Sequence, residues 1–100
     1  MLTKDEILEI LRKNYFHLKT EYGVKRIGLF GSYAKGLATE TSDVDVVVEF
    51  ERPPGFKFIE FTEYLEFILN RKVDVLTLAG IQGIRIHSVA KSIAESIVYV

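Results

Sequence analysis

Asp43 and Asp45 stand one residue apart at the head of an apolar run, Val44-Asp45-Val46-Val47-Val48. Side chains alternate along a strand, so an acid pair at this spacing projects to one side. Upstream, Leu29-Phe30 runs into Gly31-Ser32, a tight exit from an apolar strand. A helix that starts there exposes unpaired backbone N–H groups, which favour anions such as phosphate. Downstream, Asp74 interrupts a third apolar run, Val73 to Leu76, and a lone buried acid is costly unless paired or metal-bound. Hard divalent cations such as Mg²⁺ take oxygen ligands and share a few carboxylates with substrate phosphates. Asp43, Asp45 and Asp74 could hold two such ions, a pair that activates an attacking oxygen and stabilises a leaving pyrophosphate. A Gly-Ser dipeptide or an Asp-x-Asp alone says little; their order, followed by the later strand acid, is the informative feature.

These residues need a scaffold. Thr3 and Glu6 form a capping box, and Ile7, Leu11, Tyr15, Leu18 and Tyr22 recur at helical spacing, predicting an amphipathic helix over 4–21 that stops at Gly23. His17 on this helix has no second ligand nearby and reads as a surface or packing residue. Residues 24–30 form a first strand, Ser32 caps a short following helix, and 37–42 make a polar connection. Residues 43–50 form a second strand with Val44, Val46 and Val48 on one side. Pro53-Pro54-Gly55 breaks the chain before a helix over 57–70, with Phe58, Phe61, Leu65, Ile68 and Leu69 inside and Tyr64 and Phe67 towards its flank. Residues 72–77 form a third strand. A loop around Gly80 and Gly83 then leads to a last helix carrying Ile86, Val89, Ala90, Ile93, Ala94 and Ile97, and Val98-Tyr99-Val100 adds an edge strand. Strands alternating with helices predict an α/β (α+β) domain, a small mixed sheet backed by helices on one side.

One hundred residues, 48% of them hydrophobic and 27% charged, suit one globular domain over 1–100 with no separate substrate domain. A formal net charge of −1 supplies no field to attract nucleic acid, so direct binding to it is not expected. The absence of cysteine excludes disulfides, thiolate catalysis and cysteine-ligated zinc. No apolar leader core follows a basic head and no window has the length of a membrane span, so a cytoplasmic protein without membrane contact is expected.

Gly31-Ser32-Tyr33-Ala34-Lys35-Gly36 with Thr41-Ser42-Asp43-Val44-Asp45 resembles the signature of the DNA polymerase β-like nucleotidyltransferases, and Asp74 resembles their third acid. The length of the chain is similar to that of the minimal nucleotidyltransferases. The resemblance implies Mg²⁺-dependent transfer of AMP from ATP to a hydroxyl. It implies that Gly31 and Ser32 bind the triphosphate, that Asp43, Asp45 and Asp74 ligate two metal ions, and that Asp74 helps to activate the acceptor. Lys35 stands where many relatives carry arginine; lysine keeps the charge of a nucleotide-binding residue but loses the bidentate fork. The family also implies a HEPN-domain toxin as partner, neutralised by modification of a tyrosine; neutralisation by contact alone, or an RNA or small-molecule acceptor, is the alternative. Pairing of chains through the terminal strand would give a homo-oligomer.

Overall fold

The computed structural model describes residues 2–82, 91, 93 and 95–100. Helix α1, Lys4–Tyr22, begins at the expected box: the Thr3 N–H donates to Glu6 Oε1 at 3.1 Å and the Glu6 N–H to Thr3 Oγ1 at 3.2 Å. It ends at Gly23 in the left-handed region, φ 73°, a conformation that glycine adopts without a Cβ clash. Strand β1, Val24–Phe30, leads directly into the short helix α2, Gly31–Lys35. Strand β2, Val44–Phe50, is followed by α3, Lys57–Leu69, and β3, Val73–Thr77. Helix α4, Leu78–Gln82, and the two-residue strand β4, Val98–Tyr99, complete the described elements.

The sheet order is β3-β2-β1-β4. β1 pairs antiparallel with β2 and β4, while β2 and β3 run parallel, joined by the α3 crossover that parallel pairing requires. The sheet is mixed, as expected. Val44, Val46 and Val48 face α1 and α3 in one core with Ile7, Leu11, Leu18, Phe61, Leu65 and Leu69. Val47 points the other way, into a smaller cluster with Phe30 and Ile81 that Leu76, Ile93 and Ile97 flank. Apolar cover therefore extends beyond the one face that the two long helices back.

Several local expectations are adjusted. Gly80 lies within α4, not in a loop, because Thr77 Oγ1 accepts the Gly80 N–H at 3.0 Å and caps that turn. Tyr64 belongs to the core margin, its hydroxyl donating to Asn14 Oδ1 at 2.9 Å and its ring against His17, whereas Phe67 is 81% exposed. Gly83, Ile86, Val89, Ala90 and Ala94 of the expected loop and last helix lie outside the described residues; Ile93 is helical and Ile97 precedes β4.

The terminal edge strand is seated over a glycine. A Cβ on Gly28 would meet Ile97 Cγ2 at 2.8 Å, the Val98 carbonyl oxygen at 3.0 Å and Tyr99 Cδ1 at 3.1 Å. Arg26 fastens the same strand, its Nε 3.0 Å from Glu49 Oε1 and its guanidinium 4.7 Å above the Tyr99 ring. Gly28→Ala is expected to cost about 1–3 kcal/mol by overpacking, read as a lower melting temperature with faster amide exchange at Val98 and Tyr99.

Candidate active site

β1, β2 and β3 bring the site together at one end of the sheet. In the ladders Asp45 stands opposite Phe30 on one side and Asp74 on the other. Gly31, next after Phe30, is thereby drawn against Asp45. Its φ is 73°, and a Cβ at this position would fall onto the Asp45 carboxylate. The glycine is thus required twice, by backbone conformation and by the space that the acid occupies.

Asp43 and Asp45 are half-buried; Asp43 lies just before β2. Asp74 is exposed, contrary to the expected buried strand acid, because β3 is an edge strand whose outward side chains meet solvent. Burial first, then the charges of Asp74 and of Asp43, push the Asp45 carboxyl above its ordinary range. None of the three acids pairs with a cation among the described residues. Nor do three His, Asp or Glu side chains there gather closely enough to form a ready metal cage. Like charges hold one another apart; two at ~4 Å repel by about 4 kcal/mol at an effective dielectric near 20.

Ser32 lies inside the first turn of α2 instead of capping it, since the helix starts at Gly31, two residues earlier than a Ser32 cap would give, and Phe30 takes the cap position without a side-chain bond. Tyr33, 2% exposed, anchors α2 in the main core and so fixes the turn against the sheet. Lys35 ends α2 exposed to solvent, and the structure records no ion pair from it to the acids.

Two supports were not named from the sequence. The loop before Asp43 is clasped by its own hydroxyls: the Thr39 N–H donates to Ser42 Oγ at 2.9 Å and the Ser42 N–H to the Thr39 carbonyl at 3.1 Å. The run of Thr and Ser at 39–42 was the available signal. Glu66 Oε2 accepts the Val73 N–H at 3.1 Å and ties the end of α3 to the strand that carries Asp74; nothing in local spacing announces this bond.

A turn that seats a glycine against one acid, with a second acid in register on the neighbouring strand, is an arrangement suited to handling phosphate esters. Residues 5–100 match the family model of the nucleotidyltransferase domain, and the chain belongs to that family. MJ1379 of Methanocaldococcus jannaschii is 48% identical over 103 residues, covering the whole of both chains. Protein adenylyltransferase MntA of Thermococcus cleftensis is 43% identical over 101 residues, covering 100% of this chain and 98% of its own. The fold matches a solved minimal nucleotidyltransferase with a TM-score of 0.73 at 24% identity, covering 97% of this chain and 95% of that one. A toxin-antitoxin crystal structure with AMP-PNP aligns with a TM-score of 0.54 at 28% identity, over 78% of this chain and 59% of that chain. No helix among the described residues is long and apolar enough to cross a membrane.

Proposed function

We propose that this chain transfers AMP from ATP to a tyrosine hydroxyl of a HEPN-domain toxin in the cytoplasm, and thereby acts as its antitoxin. The observation that carries this reading is the Asp45–Asp74 register pair beside Gly31. The adenylyltransferase name of MntA, and the toxin-antitoxin structure with AMP-PNP, support the donor and the kind of partner.

The donor triphosphate lies along the Gly31-Ser32 turn, held by backbone N–H groups and the Ser32 hydroxyl, with Lys35 adding charge. The donor set of Asp43, Asp45 and Asp74 is all hard oxygen and pairs with no cation among the described residues, which suits hard divalent ions such as Mg²⁺. When bound, such ions offset the carboxylate repulsion and the charge of the phosphates. Asp74 accepts the proton of the acceptor hydroxyl on a carboxylate oxygen. The acceptor oxygen then forms its bond to the α-phosphorus, the α–β phosphoanhydride bond breaks, and the electron pair leaves with pyrophosphate.

The reading is tested with labelled ATP, Mg²⁺ and the purified toxin. Label on the toxin, absent with Asp45→Asn and absent from RNA, is the expected result, together with a melting temperature that MgATP raises more than ATP in chelator does. A second reading, neutralisation by contact, is favoured by the exposed Ile59 and Phe67 on α3, 65% and 81% accessible. It predicts that Asp45→Asn still silences the toxin and that no label is transferred.

A further inference from the structure

The order of elements divides the site into two sides. Gly31 ends β1, Asp45 lies on β2 and Asp74 on β3, and β3 is an edge of the sheet. A donor seated at Gly31 and Ser32 fills the β1 side, which leaves the β3 edge as the approach for an acceptor. On that edge stands Lys72. Its carbonyl accepts the Val44 N–H at 2.9 Å, which extends the β2–β3 ladder by one step and sets Lys72 beside Asp43. Counting back two residues from Asp74, strand alternation puts Lys72 on the face that carries the acids.

Lys72 is exposed and, like Lys4, Lys19, Lys25, Lys35, Arg52 and Arg71, forms no ion pair among the described residues; of these it is the one that the β2–β3 ladder sets beside Asp43. Lys72 also lines an open cleft of about 350 Å³ with Glu66, Asn70 and Arg71 at the end of α3, a cleft that none of the three acids lines. Two of those neighbours are occupied: Glu66 accepts the Val73 N–H, and Arg71 Nη1 donates to the Asn70 carbonyl at 3.0 Å. Among the described residues the ammonium has no hydrogen-bond or ion-pair partner, and a strand-edge lysine elsewhere would simply be solvated. Here it stands two residues before Asp74, the acid that receives the acceptor proton in the reading above.

We propose that the acceptor enters over β3 and that Lys72 contacts its hydroxyl there, stabilising the oxyanion formed as the proton passes to Asp74. This rests on the transfer reading above and adds the direction of acceptor entry and a catalytic residue. Lysine suits the task as a compact point charge on a flexible stem, able to follow an oxygen that is moving towards phosphorus. Bond making and breaking are unchanged: oxygen to α-phosphorus forms, and pyrophosphate leaves.

The test is AMP transfer from labelled ATP to the purified HEPN-domain toxin by wild type, Lys72→Gln, Lys72→Met and Lys72→Arg, with both substrates varied. Both neutral variants are expected to lower kcat/KM for the toxin about 10- to 100-fold, the scale of a charge-assisted hydrogen bond, with ATP half-saturation moved by less than about twofold. Lys72→Arg is expected to recover most of the loss, and thermal melts should be unchanged because the side chain is exposed. Unaltered toxin kinetics in both neutral variants overturns the role of Lys72, as does a defect confined to ATP half-saturation, which would place the lysine on the donor side. Wild type that labels the toxin while the variants are indifferent sinks this inference alone; wild type that labels nothing sinks the transfer reading and this inference together.

Discussion

Asp45→Asn is expected to abolish AMP transfer and, at the same time, to make the metal-free protein more stable. The loss should reach at least about a thousandfold in kcat, the scale of removing a principal electrostatic stabiliser of a transition state. The gain in stability has a separate cause. Asp45 is half-buried with Asp74 opposite it in the ladder and Asp43 two residues away, so its charge is opposed by burial and by two like neighbours. Relieving one cross-strand repulsion is worth about 0.5 kcal/mol, or about 2–4 °C for a domain of this size. The pH dependence follows from the raised carboxyl. Between its unfolded and folded titration points the folded chain holds more protons than the unfolded one, so stability falls as pH rises through that window. Below the ordinary aspartate range both states are protonated and the penalty is absent. The melting-temperature difference between Asp45→Asn and wild type should therefore be smallest in acid, grow on moving towards neutral pH, and then level off. MgATP should reverse the ranking, stabilising wild type more than the variant. A variant less stable than wild type at neutral pH without metal would show that the acids are not opposed in the resting site.

The acids and the turn were legible because each rests on a short-range rule: alternation for Asp43 and Asp45, and the need for a tight exit after Phe30 at Gly31. The capping box at Thr3 and Glu6 and the stop at Gly23 are equally local, and they stand where expected. What was not legible depends on partners distant in the chain. Whether Asp74 is buried follows from β3 being an edge, and its alignment with Asp45 follows from strand register, which the apolar pattern constrains only by parity. Gly80 suggested a loop because glycine is a poor helix former, but the Thr77 hydroxyl bond and the packing of Ile81 against Val47 outweigh that preference. Ser32 looked like a cap by type; a helix that begins at Gly31 with Phe30 as its cap moves it two positions inwards. Lys72 drew no attention as the charged first residue of the expected third strand, and only the parallel ladder shows that it stands beside Asp43.

Gly31→Ala is expected to be the most damaging single methyl in the chain. The new Cβ would have to adopt φ near 73° and would share space with the Asp45 carboxylate, so either the turn or the acid must move. The backbone part alone costs about 1–2 kcal/mol for an L-residue in the left-handed region. Displacing the carboxylate adds about 1–3 kcal/mol by overpacking, for a fall in melting temperature of about 10 °C or more. Transfer should fall with it, because the acid pushed aside is the one in register with Asp74. The two contributions separate in a double-mutant cycle. Asp45→Ala removes the carboxylate that the methyl would strike, so in that background Gly31→Ala should cost only the backbone part. A coupling of about 1 kcal/mol or more between the positions is the expected result, measured by denaturant unfolding of the four proteins without metal. Additive costs would mean that the glycine is needed for its conformation alone and that the turn does not press on the acid. Coupling would make Gly31 the residue that sets how closely the β1–α2 turn and the Asp45 carboxylate approach.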